Sequence, residues 1–129
     1  MDNVRKFLPK DKYDVAGVRR IALLSEEEVR PVLGDLLEWL QDLNWPIASE
    51  VVKILPKYTK SLLPHLHTIL DEANADGIWK YWIIKELLPL LNKEIVNDLY
   101  TELKRIAMEP TAGEKDSGAD EVASKLLEE

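Results

Sequence analysis

With 129 residues, 46% of them hydrophobic and 32% charged, the chain is long enough to bury a core of its own and too apolar to stay disordered. The absence of cysteine excludes disulfides, thiolate zinc sites and thiol nucleophiles together. The net charge of -7 is concentrated at the end, where residues 109–129 hold seven acids against Lys115 and Lys125, so no basic stripe is left for nucleic acid or an anionic membrane surface.

The opening Met1-Asp2-Asn3-Val4-Arg5-Lys6 lacks the apolar stretch of a secretory leader, and no run approaches the roughly 18 apolar residues of a membrane span. The expectation is a cytoplasmic protein. From Asp14, which can cap the start, Val15 to Leu24 places apolar residues at helical spacing. Ser25 with Glu28 makes a capping box, and Pro31 sits in a tolerated first turn. Leu33, Leu36, Leu37 and Leu40 then form one stripe, ending near Leu43-Asn44. Pro46 restarts the chain as a helix with Ile47, Val51, Ile54, Leu55 and Tyr58 on one face. The short connection makes these two helices an antiparallel pair.

Ser61 as cap and Pro64 in the first turn introduce the stripe Leu62, Leu63, Leu66, Ile69 and Leu70. A polar turn, 71–77, leads to the helix 78–91, which is apolar nearly all round and which Pro89 should kink or end. Ile95, Val96, Leu99, Tyr100, Leu103, Ile106 and Ala107 define the next helix. The expected organisation is a helical-repeat domain over 1–108, an acidic polar linker over 109–118, and a short amphipathic helix over 119–129 that either docks or stays mobile.

Leu33, Leu36 and Leu40 recur as Leu63, Leu66 and Leu70, and the last two again as Leu99 and Leu103. In the first two copies the stripe leads through a turn to a second helix ending in Leu-Pro, Leu55-Pro56 and Leu88-Pro89. This pattern resembles HEAT-like repeats. The resemblance implies an all-α fold of antiparallel helix pairs stacked as a short, right-handed α-solenoid. Trp45-Pro46 and Trp79-x-x-Trp82 depart from the consensus. The run from Leu36 through Trp39 and Asn44-Trp45-Pro46 to Ala48, together with Ile78-Trp79-Lys80-Tyr81-Trp82-Ile83, is similar to a family of short bacterial proteins classed only as a domain of unknown function. That likeness implies bacterial origin and supplies no catalytic residue.

Candidate chemistry is thin. His65 and His67 point apart on a helix and cannot share a metal, although His67 can reach Asp71 one turn on. Glu72-x-Asn74-x-Asp76-Gly77 resembles half a calcium loop, but Ile83 stands where the closing carboxylate belongs, and a capped turn explains the same residues. No phosphate loop, nucleophile elbow or His-Glu-x-x-His helix occurs. No catalytic residue, metal ligand or cofactor is assigned.

Trp39, Trp79 and Trp82 fall on core stripes, whereas Trp45 lies in a turn beside Asp42 and Asn44. Those three turn residues, with Lys80 and Tyr81 as a rim, are the candidate partner-binding residues. The expected function is a non-catalytic domain that binds another protein, without assignment of oligomeric state. One alternative is an immunity or antitoxin-like inhibitor of a basic toxin; another is an enzyme or metal binder using His67, Asp71, Glu72 and Asp76.

Overall fold

A computed structural model of the chain describes residues 8–128, which are helices and turns with no strand among them. Met1 to Lys6, read above for a leader, and Glu129 lie outside the described residues. The fold is all-α, and among the described residues no helix is long and apolar enough to cross a membrane. The chain divides into two compact units, Met1–Leu62 and Leu63–Glu129.

In the first unit, α1 (Val15–Ile21) begins where the Asp14 carboxylate accepts from Gly17 N at 3.0 Å. Backbone hydrogen bonds from Lys10 and Gly17 hold that carboxyl below its usual range. The carbonyls just past the other end of α1 are met from far along the chain. Lys57 Nζ donates to Ala22 O at 2.6 Å, and the buried Tyr58 hydroxyl lies 3.2 Å from Leu24 O and 3.3 Å from Ile21 O. The Ser25–Glu28 capping box starts α2 (Glu26–Val29). Pro31 then tightens the chain into a 3-10 turn, Arg30–Val32, ahead of α3 (Leu33–Glu38), which tightens again at Trp39–Gln41. A turn leads to α4 (Ala48–Ile54) and the 3-10 segment Leu55–Tyr58, and α4 packs against α1. Leu33, Leu36, Leu37, Leu40, Ile47, Val51, Leu55 and Tyr58 of the stripes that the spacing marks out are buried, and Ile54 is half-buried.

Helix α5 (Thr59–Leu70) begins in the first unit and ends in the second. Ser61, the expected cap, lies inside it: its hydroxyl donates to Glu26 Oε2 at 2.5 Å and accepts from Arg30 Nε at 3.3 Å. Pro64 is likewise internal. The reason is that helical turns already run from Leu55, so the chain needs no fresh start at Ser61.

In the second unit, Asp76 caps α6 (Gly77–Trp82) by accepting from Trp79 N at 3.0 Å. Pro89 has no N–H to return to the preceding turn. The helix widens into a π-turn, Ile83–Leu87, in which Leu88 N reaches back to Ile83 O, and finishes as the 3-10 turn Leu88–Leu90. Asn92 caps α7 (Lys93–Asp98), and α8 (Tyr100–Met108) follows after Leu99, so the single expected helix is two. The stretch 109–118, expected as a linker, holds α9 (Ala112–Ser117), started by a capping box between Thr111 and Glu114. Gly118, at φ 87°, turns the chain into α10 (Ala119–Glu128), which packs on α8 within this unit and buries Ala119 and Ala123. A Cβ at Gly77 would collide with the Gly113 carbonyl, so glycine is what lets α6 and α9 approach.

Candidate functional site

The turn between α3 and α4 is fixed by its own side chains. Asp42 Oδ1 accepts from Asn44 N at 2.9 Å, and Asp42 O accepts from Trp45 N at 3.1 Å, closing an Asx turn that carries Trp45 forward. Asn44 is exposed and Asp42 half-buried. The Trp45 ring meets Trp39 edge to face, with centroids 5.5 Å apart and planes at 77°. Such a pair contributes about 0.5–1.5 kcal/mol beyond the area it buries. Both rings stay half-buried, so Trp39 is not the core residue its stripe predicts.

These rings form one wall of an open groove of about 350 Å³. Leu8, Pro9, Asp35, Glu38 and Gln41 complete it, and no lysine or arginine among the described residues lines it. Asp35 is engaged within the chain, whereas Glu38 is exposed at the lip. Asp35 and Glu38 are three residues apart on α3, so their carboxylates emerge from one face of the helix. The result is a surface with two flat aromatic faces and negative charge beside them.

The other two candidate residues lie in the second unit, where Lys80 is buried and Tyr81 half-buried. The sequence predicts that Lys80 faces water, but its side chain is 0% exposed. It donates to Glu114 Oε2 at 2.5 Å and to Asp71 O at 2.9 Å. Arg105 grips the same carboxylate with both guanidinium nitrogens, at 2.9 and 2.7 Å, and Thr111 N donates to it at 2.8 Å. Burial alone raises the Glu114 pKa, but the hydrogen bonds from Arg105, Lys80 and Thr111 outweigh it and bring the carboxyl from 4.5 down to about 2. A lysine can be buried here because it is both paired and hydrogen-bonded. Tyr81 is half-buried, edge to face with Trp82 at 4.9 Å, and Lys85 lies over both rings while donating to the Tyr81 hydroxyl at 3.2 Å. Trp79 and Trp82 are half-buried as well, not core.

His67 pairs through Nδ1 with Glu102, not with Asp71. Both line an opening of about 710 Å³ with Asp71, Asn74 and Trp79. The turn carboxylates are already engaged: Asp71 Oδ2 accepts from Ala73 N, and Asp76 caps α6. Among the described residues no group of three or more histidine or acidic side chains stands close enough to hold a metal ion.

Glu102, Arg105 and Glu114 escape a reading of the sequence. Only Glu114 had a local signal, the Thr111-x-x-Glu114 capping box. Comparison with known proteins gives one family: the model of a domain of unknown function (DUF5071) matches residues 7–127. No curated protein matches the chain.

Proposed function

Because the chain belongs to the DUF5071 family, which assigns no residue a role, we propose from the site itself that this is a non-catalytic domain that binds another protein through the Trp39–Trp45 groove. One observation carries the reading: two large rings are held half-exposed in a fixed edge-to-face pair at the mouth of a groove, rather than folded into the core. Tryptophans anchored in this way are the residues on which partner proteins most often concentrate binding energy. The HEAT-like reading belongs to the same proposal, and the recurrent leucines support it, since Leu33, Leu36, Leu40, Leu66, Leu70, Leu99 and Leu103 are buried and Leu63 alone of the set is half-buried. The proposal places this work in the bacterial cytoplasm.

The test is capture from an extract of the source organism, with wild type and Trp45→Ala as baits, both folded at the capture temperature as thermal melts show. A protein retained by the first and lost by the second is expected. Identical sets from both reject the reading. A second reading, inhibition of a basic toxin, is favoured by the net charge of -7 and the carboxylates at the groove. A toxin gene beside this one would support it, and a neighbourhood of metabolic genes would weaken it.

A further inference from the structure

Resting on that reading, we propose that the groove is built to receive the guanidinium of an arginine side chain on the partner, laid against Trp39 and Trp45 with Glu38 as its counter-charge.

The argument is one of charge and shape together. Indole faces carry the negative part of the ring quadrupole and attract cations, tryptophan more strongly than any other side chain. Here two indoles set at 77° present differently oriented surfaces within 5.5 Å, so a flat group can lie on one while its edge meets the other. An exposed carboxylate, Glu38, stands in the same lining. No described cation lines the groove to compete. A guanidinium suits this combination because it is planar, stacks on aromatic faces, and offers paired donors to a carboxylate at the same time. An ammonium can satisfy the charge but not the stacking. At about 350 Å³ the groove lies at the low end of ligand pockets, which run from roughly 300 to 1,000 Å³. That is room enough for an individual side chain. An acidic partner segment is disfavoured by Glu38 and by the net charge of -7.

The experiment is a titration of the full-length, 15N-labelled protein with acetyl-Gly-Arg-Gly-amide, followed at the four indole N–H resonances. Single Trp→Phe variants assign them. The expected result is saturable movement of the Trp39 and Trp45 signals with those of Trp79 and Trp82 at rest. The citrulline peptide, equal in shape and uncharged, should bind at least about tenfold more weakly, and Glu38→Gln should weaken the arginine peptide severalfold, effects of the size that a cation over an indole and a nearby carboxylate produce. A lysine peptide should fall between the two. Equal binding of the citrulline and arginine peptides at Trp39 and Trp45 overturns the inference and leaves the groove as a docking site. So does silence of both signals with arginine, even if a protein is captured through Trp45. Conversely, if the arginine peptide behaves as expected but Trp45→Ala captures the same proteins as wild type, the inference stands and the docking reading fails.

Discussion

Lys80 and Glu114 face each other at 2.5 Å with side chains 0% and 1% exposed, and Arg105 closes the same carboxylate from its other side. The second unit is thus organised around a buried anion held by two cations, one from α6 and one from α8.

Removing the anion leaves Lys80 buried without a counter-charge. Glu114→Gln should lower the unfolding free energy by about 3–5 kcal/mol, the cost typical of breaking a buried pair from one side. Lys80→Met should cost less, because Arg105 and Thr111 still satisfy Glu114. Urea unfolding of the two variants checks the ranking; equal losses would contradict it.

The same carboxylate sets an acid dependence. Its folded-state pKa, about 2, lies below the ordinary 4.5, so its contribution is fully present above pH 4.5 and is lost as the pH falls toward 2. The amount is on the order of 3 kcal/mol at 1.36 kcal/mol per unit. Urea midpoints measured between pH 5 and 2 should fall for wild type, and Glu114→Gln should remove that share of the slope. An unchanged slope in the variant would assign the acid sensitivity to other carboxyls.

Gly77→Ala should destabilise by roughly 1–3 kcal/mol, since the new methyl meets the backbone of Gly113 and not a side chain that can swing away. Gly118→Ala, where φ is 87°, should cost about 1–2 kcal/mol through backbone strain alone. Thermal melts of both variants provide the check.

Deleting residues 110–129 takes away α9, α10 and Glu114 together. A dispensable tail would leave the remaining spectrum intact. The expected outcome is instead collapse of the amide dispersion of residues 63–109 in a 15N–1H spectrum.

What the sequence made legible was what depends on neighbours in the chain. The caps at Asp14, Ser25 and Asp76, the buried leucine stripes and the all-α class all follow from spacing within a turn or two. Ser61 and Pro64 carry the marks of a helix start, yet they lie inside α5 because the 3-10 segment before them keeps the chain helical, which composition does not announce. A lysine by itself predicts a solvated side chain, and the Glu114 carboxylate that buries Lys80 lies 34 residues away in α9, beyond the reach of local spacing. The stripes predict core positions for Trp39, Trp79 and Trp82, yet all three rings are half-buried, because helical spacing shows which face a residue takes and not how much of a large ring the neighbouring elements cover. Trp45 lies in a turn as its flanking Asn44 and Pro46 predict, and its contact with Trp39 links that turn to a residue that the stripe places in the core.

The glutamate that starts α9 is also the charge that Lys80 requires, and it lies 34 residues downstream of it. Synthesis runs from the N-terminus, so the ribosome delivers the lysine well before the group that neutralises it. During that interval α6 has no means of burying its own middle. The second unit should therefore close only after Glu114 has been made, and its hydrophobic face should be a part of the nascent chain that chaperones meet.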